Sequence, residues 1–333
     1  MKALVYIQPN ELQLQERPLP ELVDGEVVLK IDAVGICGSD MHVWHNHDPR
    51  RKPNLVLGHE FVGTVAESAA SGFAPGTRFT GNPLITCGVC DYCVQGRNNL
   101  CSNRSMVGIT RPGAYAEYMS IPAASLIAMP QDMTDVAAAL TEPAATAWHA
   151  INLSLRVLPR PIHECRVLVI GGGAIGMLAS LLLKHLGLIQ LTVSESNPLR
   201  RKAIKTHVGC RTLNPSQQPL GNDEYDYVLD TVGAKVTRQQ AFAAVRPGGV
   251  IMHVGLQDCV SEIDMRKLTL AEIILLGAYT YTTADMRATV AALHTGVFGD
   301  LAWVEQRPLA QGPQAFQDLH EGRTAAAKIV LWP

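Results

Sequence analysis

Apolar and polar positions alternate in two different ways along this chain, and the change comes near Thr134. Before it, short apolar runs are cut by turn residues. Glu26-Val27-Val28-Leu29-Lys30-Ile31-Asp32-Ala33-Val34 reads as a largely buried strand, and Phe61 to Glu67 as another. Asp24-Gly25, Ser71-Gly72, Pro75-Gly76, Asn82-Pro83 and Pro112-Gly113 punctuate the remainder. This half predicts a barrel-like β domain with inserted loops. Beyond Thr134 the period lengthens. Asp135 to Leu140 opens an alanine-rich helical stretch. Thr141-Glu142-Pro143 reads as a second helix start, with Thr141 as its cap and proline in its first turn. From Val167 onward, strands and helices take turns: Val167–Ile170 strand, Ala174–Leu186 helix, Leu191–Ser194 strand, Pro198–His207 helix. Further strands follow at Tyr227–Asp230, Val250–Val254 and Ile273–Leu276. That alternation predicts an α/β fold with a doubly wound parallel sheet under helices. A helix at Ala284–His294 and a last strand at Lys328–Trp332 complete the pattern.

Size and composition narrow this picture. A chain of 333 residues with 47% hydrophobic and 17% charged residues has material for two buried cores. A net charge of −2 supplies no basic field, so neither a nucleic acid nor an anionic membrane is the expected partner. The uncharged span from Val167 to Leu183 is short for a membrane helix, and adjacent glycines split it into strand and helix. The opening MKALVYIQPNELQL lacks the long apolar region of a secretory signal, so a cytoplasmic location is expected. Five of the eight cysteines stand in metal-type settings, while Cys165, Cys210 and Cys259 are scattered; in such a compartment clustering points to metal before disulfide.

The glycine-rich turn Gly171-x-Gly173-Ala174-Ile175-Gly176 follows a strand and opens a helix. Its first glycine permits a tight turn, its second lets backbone approach a pyrophosphate, and its third lets helix pack on strand. The helix end then offers free N–H groups and a positive dipole to the phosphates. Glu195, nineteen residues past Gly176 at the end of the next strand, is placed to accept hydrogen bonds from ribose hydroxyls and to repel a 2′-phosphate. That favours NAD over NADP, although Ser194, Arg200 and Arg201 nearby supply groups that hold phosphate, and Arg200 is a candidate cofactor contact.

The stretch TCGVCDYCVQGRNNLC sets Cys87, Cys90, Cys93 and Cys101 within one loop. Four thiolates at this spacing suit a tetrahedral zinc ion (Zn2+) and leave no open position, so the site reads as structural. A second set is Cys37, His59, Glu60 and Glu142, too far apart in sequence for spacing alone to unite them.

Here the residues carry a resemblance that spans essentially the whole chain. Cys37-Gly-Ser39-Asp-x-His42, Gly58-His59-Glu60, the four-cysteine loop, Glu142-Pro143 before a helix and the glycine turn occur in the order seen in zinc-containing medium-chain dehydrogenases. The chain resembles the branch of sorbitol, L-idonate and galactitol-phosphate dehydrogenases, with threonine dehydrogenase close by. The resemblance implies a GroES-like domain over residues 1–140, completed by 284–333, and a Rossmann domain over 141–283. It implies Cys37 and His59 as catalytic zinc ligands, with Glu60 either a direct ligand or an exchanging outer carboxylate. Glu142 would bind the zinc or its water; as a plain helix residue it would merely put charge at an N-terminus. Ser39 and His42 match the proton-relay positions. A small-molecule alcohol substrate, NAD and a homodimer or homotetramer are expected. Two departures bear on substrate. The arginine that holds polyols in sorbitol dehydrogenases is missing from Gly277-Ala278-Tyr279-Thr280-Tyr281, and Val43 follows His42 where those enzymes often carry tyrosine. Arg50, Arg51 and Lys52 are candidates for a substrate phosphate, or simply solvated cations.

Overall fold

The computed structural model describes residues 1–333. The first half builds a seven-stranded sheet in the order Leu126–Ala128, Arg78–Gly81, Glu60–Ser68, Glu26–Gly35, Lys328–Trp332, Val304–Pro308, with Tyr118–Pro122 also paired to Glu26–Gly35. A smaller sheet sets Lys2–Gln8 between Glu11–Glu16 and Leu55–Val56. Strand Glu26–Gly35 is apolar nearly throughout because it is central. It pairs antiparallel with Glu60–Ser68 and Tyr118–Pro122, and its far end with Lys328–Trp332. The chain's last strand therefore returns to the sheet formed largely by residues 26–128.

The second sheet has six strands, all parallel, in the order Arg211–Leu213, Gln190–Ser194, Arg166–Ile170, Tyr225–Asp230, Val245–His253, Ile274–Gly277. The order reverses between Arg166–Ile170 and Tyr225–Asp230, which opens a crevice at the carboxyl ends of those strands. Helices Ala174–His185 and Pro198–His207 follow the first two strands in sequence. Asn197 caps the second of these, accepting from Leu199 N at 2.8 Å, and Pro198 sits in its first turn. No helix is long and apolar enough to cross a membrane.

Helix Thr141–Leu155 is the brace between the two sheets. It packs on helices Ala174–His185 and Thr283–His294, and one core joins Ala33 and Val62 of the first sheet to Val167 and Val169 of the second. Thr141 is not its cap. Leu140 precedes it with helical backbone angles (φ −77°, ψ −7°), so Asp135–Ala139 runs almost directly into the longer helix. The Thr141 hydroxyl is buried without a partner instead.

Candidate active site and metal centres

The four-cysteine loop closes as its spacing predicts. The sulfurs of Cys87, Cys90, Cys93 and Cys101 lie within 4.8 Å of one another, with Cys87–Cys101 at 3.5 Å and Cys87–Cys93 at 4.0 Å. A tetrahedron with Zn–S arms of about 2.3 Å has edges of about 3.8 Å, so the set fits that ion. Backbone N–H groups of Val89 and Cys90 pull the Cys87 thiol down to about 6, toward the thiolate a metal requires.

Cys37 and His59 are brought together with Glu60, their ligand atoms also within 4.8 Å of one another. Cys37 caps the short helix Gly38–Trp44. Its sulfur accepts from Ser39 N at 3.4 Å, and Asp40 returns a carboxylate to Cys37 N at 3.2 Å. His59 turns Nδ1 toward Asp40, 3.7 Å away, which frees the other ring nitrogen for a metal. Tyr115 holds Asp40 from behind, donating its hydroxyl to Oδ2 at 2.7 Å.

The two carboxylates differ in what they already hold. Glu60, fully buried, accepts from Lys328 Nζ with both oxygens, at 2.6 and 2.5 Å. Glu142 accepts from the Tyr281 hydroxyl with Oε1 alone, at 2.6 Å. A cavity of about 260 Å³ is lined by Cys37, His59 and Glu142 and not by Glu60. Proximity of ligand atoms singles out Glu60; a free oxygen on the cavity singles out Glu142. We favour Glu142 as the donor, because a carboxylate neutralised by an ammonium on both oxygens is the poorer ligand. Burial, together with the charge of Glu60, pushes the Glu142 carboxyl up to about 7, and burial with Glu60 pushes the Cys37 thiol up as well. Both costs reverse when a divalent cation stands in contact, so these donors fit a zinc ion.

The same cavity is walled by the other sheet's loops, through Ile175, Thr231, Val232, Val254 and Gly255. Its neighbour along the crevice is the glycine turn. Gly171 has φ +99°, and a β-carbon there would meet the Thr231 hydroxyl at 2.6 Å. Gly173 faces open space, as a residue that admits a ligand must, and it caps helix Ala174–His185. A β-carbon on Gly176 would collide with Gly171 O. Glu195 lines a second cavity with Gly171, Ser194 and Thr237. Its carboxylate is more committed than the sequence suggests: Oε2 accepts from Gly172 N at 2.8 Å and Oε1 from Asn197 N at 2.7 Å. It therefore staples the turn to the next strand at the edge of the cavity.

These features coincide with what is found in known proteins. Residues 23–131 match the alcohol dehydrogenase GroES-like domain, and residues 174–295 match the zinc-binding dehydrogenase domain. L-Threonine 3-dehydrogenase of Chelativorans sp. is 35% identical over 84% of this chain and 83% of its own length. The chain belongs to the zinc-dependent medium-chain dehydrogenases. Among solved structures, a zinc-binding dehydrogenase from Sinorhizobium meliloti bound to NADP superposes with a TM-score of 0.87 at 29% identity, over 100% of this chain and 99% of that one. Acetophenone reductase from Geotrichum candidum in complex with NAD gives 0.89 at 26% identity, over 100% and 97%.

Ser39 and His42 of this dehydrogenase both line the cavity. In the basic run beside them, Arg51 is committed to the protein interior rather than offered to a phosphate. Arg51 is only 3% exposed and points inward, with Nη2 on Ser39 Oγ at 3.1 Å, Nη1 on Ser39 O at 2.8 Å and Nε on Gly108 O at 3.0 Å. Arg50 reaches the cavity but is spent on Asp48, through bonds of 2.8 and 2.7 Å. Arg201 is tied to the carbonyls of Glu195 and Ser196, whereas Arg200 leaves Nε buried and unpaired.

Sequence reasoning missed three groups that shape the site, Lys328, Tyr281 and Thr280, and gave a fourth, Arg51, a different role. Lys328 lies 268 residues from Glu60, and no local signal marks it beyond a lysine opening an apolar strand. Thr280 lies in the stretch Gly277–Tyr281 that carries no arginine. It has φ +47°, an unusual conformation for a β-branched residue, lines the cavity, and keeps Oγ1 buried without a partner.

Proposed function

We propose that this chain oxidises a secondary alcohol to a ketone with NAD as hydride acceptor, the alcohol being a polyol, sugar alcohol or sugar acid. The observation that carries the reading is the shared cavity: Cys37, His59 and Glu142 face segments of the parallel-sheet domain across about 260 Å³, with Ser39 and His42 in the same wall. Zinc held by Cys37, His59 and Glu142 supplies a Lewis-acid charge that makes an alcohol hydroxyl easier to deprotonate. The chain's own residues handle the proton. Ser39 Oγ accepts from Arg51, so the guanidinium charge lowers the cost of negative charge on that oxygen as it relays a proton. Burial holds His42 below its ordinary value, leaving a neutral imidazole to take the proton on toward solvent near neutral pH. Glu60 and Lys328 stand behind the ligands as a neutral pair.

Glu195 supports NAD over NADP, since its charge opposes a 2′-phosphate. The alternative substrate is L-threonine, favoured by identity to the threonine dehydrogenases. Its ammonium group wants a free carboxylate, and the only carboxylate lining the cavity is Glu142, already assigned to the zinc, which supports hydroxyl-rich substrates instead. For assembly we propose a homodimer or homotetramer through the parallel sheet. Its terminal strand Ile274–Gly277 has one unpaired edge and exposes Ile274 and Leu275 at 37% and 40%.

The test is NADH formation over polyols, aldonates, simple secondary alcohols and L-threonine, with NADP and chelator arms. Chelator-sensitive NAD reduction by one hydroxyl-rich class supports the reading. Turnover of L-threonine alone replaces its substrate; no turnover on any compound sinks it.

A further inference from the structure

Three of the chain's eleven histidines, His45, His47 and His320, gather where helix Gly38–Trp44 ends against the end of helix Gly312–His320. His45 Nε2 and His320 Nδ1 are 2.9 Å apart although 275 residues separate them in sequence. Their ring centroids are 4.9 Å apart, and the His47 ring lies 5.9 Å from that of His45. Buried Trp44 forms the floor, packed at 5.0 Å against both His45 and His320.

We propose that His45 and His320 form an exchangeable two-histidine site for a divalent transition-metal ion, separate from both zinc centres, with His47 beside it but outside ligand distance. Metal–imidazole bonds of about 2.0–2.1 Å place two nitrogens about 2.9 Å apart at a right angle and about 3.4 Å apart at a tetrahedral angle. The observed 2.9 Å lies within half an ångström of both, so the rings need only turn their lone pairs to a common point. The nearby carboxylates are engaged elsewhere, Asp48 with Arg50 and Arg51 and Asp318 with Arg307 and Arg323. Nothing acidic stabilises imidazolium here. Burial and the neighbouring histidines His320, His47 and His42 hold His45 below its ordinary value, which keeps it in the neutral form that ligates. All-nitrogen donors select Cu2+, Ni2+ or Zn2+ over Mg2+ or Ca2+. The ion would clamp the helix that carries Ser39 and His42 to the chain's last helix.

The experiment is equilibrium dialysis of tag-free, zinc-loaded protein against Ni2+, counting nickel and zinc per subunit. Wild type is compared with His45→Ala, His320→Ala and His47→Ala, and with His163→Ala, an exposed histidine outside the cluster. Thiolate sites are common to all, so differences isolate the cluster. Wild type and His163→Ala should hold one nickel more than His45→Ala and His320→Ala. His47→Ala should hold the same nickel as wild type, since His47 lies outside ligand distance of the pair. Equal nickel counts in wild type, His45→Ala and His320→Ala would overturn the proposal. The readout needs no turnover, so it stands or falls independently of the proposed reaction.

Discussion

Replacing Lys328 by methionine should cost this protein more than almost any other single change. The ammonium is 2% exposed, donates to both oxygens of fully buried Glu60 at 2.6 and 2.5 Å, and donates to Ile36 O at 2.7 Å. Removing one partner of such a pair strands a charge where water cannot reach, a loss of about 3–5 kcal/mol. The packing of methionine in the lysine's place does not offset this, because methylene burial is similar in the two side chains. Adding Glu60→Gln removes the stranded charge, so the double variant should recover most of the loss. The assay is urea unfolding of the four proteins of the cycle, with and without zinc. In the zinc-stripped state the whole penalty should appear. In the loaded state the ion shares the field of Glu60, and the penalty should shrink. A loss below about 1 kcal/mol in the stripped Lys328→Met protein, or no recovery in the double variant, would refute the reasoning that this pair is tightly coupled and dry.

Thr280→Gly should raise stability by about 0.5–1 kcal/mol, since glycine accepts the positive φ but returns part of the gain through its freer unfolded chain; it should also raise KM for the substrate, and a melt and a KM that both stay unchanged would count against a strained binding residue. Glu195→Ala should loosen the glycine turn and narrow the preference for NAD over NADP, read as the ratio of kcat/KM for the two cofactors; an unmoved ratio removes the cofactor argument. Gln314, Arg323 and Arg307 hold the Asp318 carboxyl down to about 2. Its contribution to stability is therefore present above the unfolded value of about 3.9 and lost as pH falls toward 2. Asp318→Asn should flatten that acid limb of Tm against pH, and an identical limb would show the cluster to be screened by solvent.

Much of the fold was legible because local and long-range preferences agree. Helix Pro198–His207 and strand Lys328–Trp332 lie where cap, proline and apolar run place them. The four-cysteine loop and the glycine turn were legible for the same reason: each acts within one short segment. Thr141 misled because a good capping residue sits inside continuous helical backbone, where the preceding short helix removes any need for a cap. Strand Arg211–Leu213 carries too few residues for a period to register, and Val304–Pro308 is mostly polar and ends in proline, so both depend on pairing with a neighbouring strand. In the site, Cys37, His59 and Glu142 could be named only through family resemblance. What surrounds them could not: Arg51 looks like any surface cation in a basic run, and only the folded loop reveals that it turns inward onto Ser39.

The most direct test of the account is zinc per subunit measured with NAD reduction in wild type and in Cys37→Ala. The two clusters predict two zinc ions and chelator-sensitive turnover in wild type, and one zinc with no turnover in the variant. Full turnover in Cys37→Ala, or loss of both ions at once, would contradict a separate catalytic metal held at Cys37.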